Sequence, residues 1–127
     1  MSVLVDSSVW IEYFRGSRGH DELDLLVEED LVVVNDLILA ELIPALHLRR
    51  QRKLIGLMRE IARAPMAIDW DDIIQMQILC LRSGISKVGI PDLIIAQHAI
   101  RNGLELYSRD RHFILLAQHV PLVLHSA

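Results

Sequence analysis

Four carboxylates, Asp6, Glu41, Asp92 and Asp110, carry the chemistry that this chain suggests. Two of them interrupt apolar runs, Leu37-Ile38-Leu39-Ala40-Glu41-Leu42-Ile43 and Ile90-Pro91-Asp92-Leu93-Ile94-Ile95-Ala96. A charge inside such a run must be solvated, paired or bound to metal, because leaving it dry and alone costs several kcal/mol or more. The other two follow short apolar segments, Val3-Leu4-Val5 and Leu104-Glu105-Leu106-Tyr107. Gathered at one edge of a sheet, the four would repel one another and raise their pKa values unless a cation neutralised them. An oxygen-only donor set suits a hard divalent ion such as Mg²⁺ or Mn²⁺, which keeps waters and accepts phosphate oxygens.

Each acid also has an ordinary reading. Asp6 and Asp110 stand where helix N-caps belong, and Asp92 follows Pro91 in a first helical turn, where the helix dipole favours a carboxylate. Glu41 has the weakest such excuse, since it lies beyond the first turn of any helix capped by Asn35 or Asp36. Ser7, Ser8 and Ser108 sit beside the acids and read as hydrogen-bond donors to carboxylate or phosphate, because no base accompanies them as nucleophiles. His112, close to Asp110, reads as a helix-face residue at the fringe of the site. The six histidines and single cysteine make no zinc pattern, and Cys80 reads as a small core hydrophobe. No Gly-rich phosphate loop is present, which argues against a nucleotide cofactor.

The elements that must position the acids follow from periodicity and punctuation. Ser2–Val5 reads as a buried strand, followed by a helix over Ser8–Phe14 that ends near Arg15-Gly16-Ser17. A helix over Asp21–Glu29 precedes a strand at Leu31–Val34. The next helix, capped by Asn35 or Asp36, carries Glu41 and the basic cluster His47–Lys53, with a kink or restart expected at Pro44. Helix continues over Leu54–Ala64, with a break at Gly56, before a short strand at Met66–Ile68. A helix over Asp71–Arg82, a loop at Ser83–Gly89 and a helix from Pro91 to Asn102 follow. A strand at Leu104–Tyr107, a helix from Asp110 to Gln118 and a strand at Pro121–Leu124 close the chain. Short apolar strands alternating with helices imply an α/β/α sandwich with a mostly parallel sheet of four or five strands. Ligands bind such sheets outside the carboxyl ends of the strands, where Asp6 and Asp110 fall.

A chain of 127 residues fits one domain, residues 1–127. No apolar stretch reaches membrane-spanning length and none reads as a leader, so a cytoplasmic protein is expected. A net charge of −4 argues against coating nucleic acid by bulk electrostatics. The charge is uneven, however, with an acid-rich segment from His20 to Asp30 and a basic cluster containing Arg49, Arg50, Arg52 and Lys53. That cluster reads either as a solvated helix face or as a local contact for phosphates.

Four blocks, Val3-Leu4-Val5-Asp6-Ser7-Ser8-Val9-Trp10, Leu39-Ala40-Glu41-Leu42, Ile90-Pro91-Asp92-Leu93-Ile94-Ile95-Ala96 and Tyr107-Ser108-Arg109-Asp110-Arg111-His112-Phe113, occur in the order and separation seen in PIN-domain ribonucleases. The chain resembles the VapC-type toxins of that family over nearly its whole length. By that resemblance Asp6, Glu41, Asp92 and Asp110 match the family's acidic quartet, Ser8 its hydroxyl after the first acid, and Ser108 the hydroxyl before the fourth. His112 stands where many relatives have another acid, and Pro44 is an unusual residue after the second. The resemblance implies a Mg²⁺- or Mn²⁺-dependent endoribonuclease that forms a homodimer and is inhibited by a cognate VapB-type antitoxin, whose Arg can enter the acidic pocket. Arg15, Arg49, Arg50, Arg52, Lys53 and Arg109 are the candidate RNA contacts. Two other readings compete. One is a catalytically silent module whose acids only receive a partner's Arg. The other is a phosphoacceptor signalling domain with Asp69 as acceptor.

Overall fold

The structure is a computed structural model that describes residues 2–16 and 21–126. The turn expected at Ser17 and the His20 end of the acid-rich segment lie outside those residues. At the centre is strand β1 (Val3–Val5), whose three residues are all buried. It pairs in parallel with β2 (Val32–Val33) on one side and β3 (Glu105–Tyr107) on the other. β-branched and aliphatic residues without alternation suit a strand covered on both faces, and the sheet is covered in that way. Two single bridges extend it outward, Val34 to Arg63 and Leu106 to Leu124, both parallel.

The expected strand at Pro121–Leu124 is thus reduced to one bridge at Leu124. The strand expected at Met66–Ile68 does not form, and the chain there is extended without a ladder partner. Its place beside β2 is taken by Arg63, in the segment where helix was expected to continue through Ala64. The backbone of Val34 accepts from Ala64 and donates to Ala62, which fills the position before residue 66 is reached.

The helices are α1 (Ser7–Phe14), α2 (Asp21–Glu28), α3 (Asp36–Leu48), α4 (Arg52–Glu60), α5 (Trp70–Arg82), α6 (Ile90–Arg101) and α7 (Arg111–Ala117). α3 runs through Pro44 without a break. The proline lacks the N–H that the Ala40 carbonyl would use, but Ala40 is exposed, so water can serve that group. α4 likewise passes through Gly56 without a break, and no nearby atom crowds that glycine. The basic cluster, expected on one helix, is split by a turn at Arg49–Gln51 in which Arg50 takes φ +56°.

Two buried polar contacts fix the helices that matter for the acids. Asn35 is fully buried and caps α3, its Oδ1 accepting from the backbone N–H of Ile38 at 2.8 Å. Its Nδ2 donates to Nδ1 of His98 on α6 at 2.9 Å, while His98 Nε2 donates to the Pro65 carbonyl at 3.0 Å. Burial lowers the His98 pKa, which keeps the ring neutral and matches this donor-acceptor pattern. Gln97 joins α6 to α5 through Asp72 Oδ2 at 2.6 Å and both backbone groups of Asp69. The core around these contacts is aliphatic, with Leu4, Ile38, Leu42, Leu93, Leu106 and Leu116 fully buried. Cys80 is part of it, as a small apolar residue.

His125 closes the far edge. Its Nε2 lies 2.7 Å from Glu22 on α2 and its Nδ1 2.8 Å from Glu105 on β3. Both ring nitrogens face carboxylates, so the cationic ring is the form that satisfies both. Burial alone would lower its pKa, but the hydrogen bonds to Glu105 and Glu22 outweigh that and hold it above 6.5. Stability from this clamp is therefore fully present below pH 6.5 and is lost as pH rises through the folded value. His125→Phe is expected to cost about 1–2 kcal/mol at pH 6 and markedly less at pH 9, read by urea unfolding at the two pH values.

Candidate functional site

β1 and β3 are parallel neighbours in register, Val5 opposite Tyr107, so the residues just past them are neighbours as well. Asp6 donates its backbone N–H to the Tyr107 carbonyl at 2.9 Å, and Ser108 follows immediately. Asp6 occupies the N-cap of α1, yet its carboxylate makes no capping hydrogen bond. Instead its Oδ2 accepts from Ser8 Oγ at 2.8 Å and from Ser108 Oγ at 2.9 Å. The ordinary reading of Asp6 as a cap thus fails. The residue is only 5% exposed, and two hydroxyls hold its charge at the end of the central strand.

Ser8 Oγ also accepts from the backbone N–H of Arg109 at 3.1 Å, and Ser108 Oγ from that of Asp110 at 3.0 Å. These bonds tie the turn after β3 to the start of α1. Asp110 keeps its capping role, its Oδ1 accepting from the His112 backbone N–H at 2.9 Å. Its other oxygen has no hydrogen bond among the described residues. Asp92 lies in the first turn of α6, half-buried, and faces the first turn of α7.

Asp92, Asp110 and His112 each offer one ligand atom, all within 4.8 Å of one another, so these three side chains can hold a metal ion together. His112 Nδ1 lies 3.2 Å from Asp110 Oδ1 and 3.6 Å from Asp92 Oδ2. That nitrogen is shut off from solvent and aligned in a hydrogen bond with neither carboxylate. An ordinary helix-face histidine would not leave its nitrogen in that state. The sequence places His112 at the fringe of the site, at a position where the resemblance has another acid.

Glu41 is exposed at the mouth of the site. Partial burial raises its pKa, and the charges of Asp6 and Asp92 raise it further. Asp92 is raised by burial first and then by the charge of Asp110, against the Gly89 backbone N–H and His112, with Asp6 adding to the rise. Each of the four acids therefore feels at least one other, and the set converges. The helix pairing explains how. Residue 35 on α3 bonds to residue 98 on α6, while Glu41 and Asp92, each six residues further along in opposite senses, interact electrostatically. The Asn35–His98 bond ties the start of α3 to α6, and two acids from distant apolar runs come within electrostatic reach of one another.

The candidate phosphate contacts divide. Arg109 is engaged within the protein, its Nε 3.0 Å from Glu12 and its guanidinium 5.6 Å over the Tyr107 ring. Arg15 and Arg49 line a groove of about 160 Å³ between α1 and α3, with Ile11, Phe14, Leu42, Ala45 and Leu46. Arg49 lies two helical turns beyond Glu41 on α3, roughly 12 Å along the axis. Arg50 and Arg52 lie round the turn, along a separate depression with His47, Gln51 and Ile55. Arg52 and Lys53 open α4, whose first turn holds no acid, so the helix dipole opposes both charges. Asp69, the acceptor in the signalling reading, follows no strand. It caps α5 and is paired with Arg101 at 2.9 Å, and these partners hold its carboxyl below the usual range.

A family model described as the PIN domain matches residues 3–118. The chain belongs to the PIN domain family. Outside that model, this PIN domain is 28% identical over 125 residues to a VapC ribonuclease of Mycobacterium bovis, covering 91% of this chain and 92% of the relative. A VapC ribonuclease of Mycobacterium tuberculosis matches to the same extent, 28% over 125 residues. Among solved structures, it is similar to VapBC2 from Rickettsia felis bound to a promoter DNA fragment, with a TM-score of 0.76, 18% identity and 98% of each chain covered. A DNA-bound VapBC from Salmonella typhimurium gives 0.73 at 17% identity, over 98% of this chain and 96% of the other. These structural likenesses establish the PIN fold. Among the described residues, no helix is long and apolar enough to cross a membrane.

The electrostatics of the site carry a stability consequence. Asp92 and Glu41 have raised pKa values, so in metal-free protein the stability that their protonation gives in acid is lost as pH rises through the folded values, and at neutral pH their charges oppose folding. Asp92→Asn is expected to raise the Tm of chelator-treated protein by a few degrees at pH 7.5. It should also reduce the increment in Tm that millimolar Mn²⁺ gives the unsubstituted chain, both read by calorimetry.

Proposed function

We propose that this PIN domain, a single domain over residues 1–127, is the endoribonuclease toxin of a type II toxin–antitoxin pair. In this reading it hydrolyses RNA phosphodiester bonds at a site holding Mg²⁺ or Mn²⁺. The observation that carries the reading is the convergence of Asp6, Glu41, Asp92 and Asp110 at the carboxyl edge of the sheet, with two of them able to share one cation. The donor set fits such an ion, being carboxylate-rich and including a buried nitrogen that lacks a partner. Asp92 and Asp110 would hold it, with Asp6 and Glu41 completing the charge directly or through water. When bound, a divalent ion lowers the pKa of a coordinated water and neutralises charge developing on the phosphate.

The chain's own residues supply the rest. Ser8 and Ser108 hold the Asp6 carboxyl in place, so the donor positions need no rearrangement during reaction. Glu41 and Asp92, both with raised proton affinity, are the candidates for the base that takes the proton of the attacking water. Arg15 and Arg49 hold RNA phosphates along the groove between α1 and α3, with Arg50 and Arg52 on the separate depression round the turn and Lys53 next to them in sequence as further phosphate contacts. The similarity to VapC ribonucleases and to VapBC complexes supports a VapB-type antitoxin as the partner. Trp70, Ile74, Ile78 and Leu81 lie on one face of α5 and are exposed, which supports a homodimer.

Two experiments test this reading. Antitoxin-free protein incubated with total RNA is expected to cleave it with Mn²⁺ or Mg²⁺ and to stop with chelator. Asp92→Asn should lower the rate by roughly 100-fold or more; undiminished cleavage by that variant refutes the assignment. In a second measurement, Arg15→Glu with Arg49→Glu is expected to raise KM for a single-stranded RNA while leaving kcat within about twofold. The log–log salt slope of binding should fall by roughly 0.7 for each lost phosphate contact.

A further inference from the structure

We infer that His112 supplies a nitrogen ligand to the cation held by Asp92 and Asp110, and that this chain's site therefore favours Mn²⁺ and later first-row ions over Mg²⁺. The inference rests on the divalent-metal reading given above. Three features of the structure carry it. The ligand atoms of Asp92, Asp110 and His112 lie within 4.8 Å of one another, a spacing compatible with one first-row ion whose bonds run roughly 2.0–2.2 Å. His112 Nδ1 is sequestered from solvent and has no hydrogen-bond partner, although two carboxylates lie 3.2 and 3.6 Å away. The backbone that carries the imidazole is also fixed, since the His112 N–H donates to Asp110 Oδ1 at 2.9 Å. One aspartate thus caps the helix and anchors the residue whose ring stands beside it.

The consequence is chemical. Mg²⁺ is hard, prefers oxygen and gains little from an imidazole. Mn²⁺, Co²⁺ and Zn²⁺ gain progressively more. A carboxylate at position 112 would make the site all-oxygen and erase that difference.

Titration calorimetry with MnCl₂ and with MgCl₂, alongside pulsed electron paramagnetic resonance of the Mn²⁺-loaded chain, tests this. The unsubstituted protein is expected to bind Mn²⁺ on the order of 10-fold tighter than His112→Asp does, relative to Mg²⁺ in each case. Its Mn²⁺ signal should show ¹⁴N coupling that changes to ¹⁵N coupling on histidine labelling and vanishes in His112→Gln. Mn²⁺ binding without nitrogen coupling overturns the role of His112 and leaves the metal-centre reading standing. Failure to bind either ion overturns both. The coupling is read on the unsubstituted protein, so the assignment can fail without any variant having to fold.

Discussion

Mutual repulsion among carboxylates collected at one edge of a small parallel sheet is the constraint to which the rest of this structure answers. β1 is three residues long and entirely buried, and the next residue after it is an aspartate with 5% exposure. A charge so placed stands only if local dipoles hold it. Ser8 and Ser108 do so from the two chain segments that leave neighbouring strands. Asp92 and Asp110 are placed at the starts of α6 and α7, where the helix dipole favours negative charge. Glu41 has neither device, and it lies at the mouth, where water reaches it. Each acid is thus given a separate local compensation, and none of these compensations cancels the repulsion between acids.

Much of this was legible in the sequence, because it depends on local signals. The short apolar runs gave β1 and β3, and the residues just past them gave Asp6 and Asp110. Asn35, Asp69 and Asp110 cap their helices with their side chains, as their types suggest. Local signals failed where a tertiary partner decided the outcome. Met66–Ile68 has strand-like composition, but the edge of β2 was already occupied by Arg63. Gly56 and Pro44 read as breaks, yet a glycine in an uncrowded turn and a proline facing an open carbonyl left both helices continuous.

The site shows the same division. Sequence could not decide whether Asp6 was merely a cap, because the answer lies in which donors reach its carboxylate. One of those donors, Ser108, is more than a hundred residues away. Nor could it show how Glu41 meets Asp92, which depends on the buried Asn35–His98 bond that sets α3 against α6. That bond is an example of a fully satisfied buried polar pair fixing one arrangement among many that an aliphatic core would tolerate. Most of the surrounding contacts are Leu, Ile and Val side chains, which supply stability without direction.

The arrangement also bears on how the proposed antitoxin would silence the site. An anionic pocket whose charges are compensated one by one, but not against each other, gains free energy from any cation that enters it. A divalent ion and a guanidinium on a partner protein satisfy the same deficit, so they compete for it. The guanidinium brings a single delocalised charge and donors only. It can hydrogen-bond to Asp92 and Asp110 but cannot polarise a water or a phosphoryl oxygen as a metal does. Such a partner would relieve the electrostatic strain that the folded chain carries and remove its chemistry at the same time. Stability and inhibition would then rise together, because both draw on the repulsion built into the pocket.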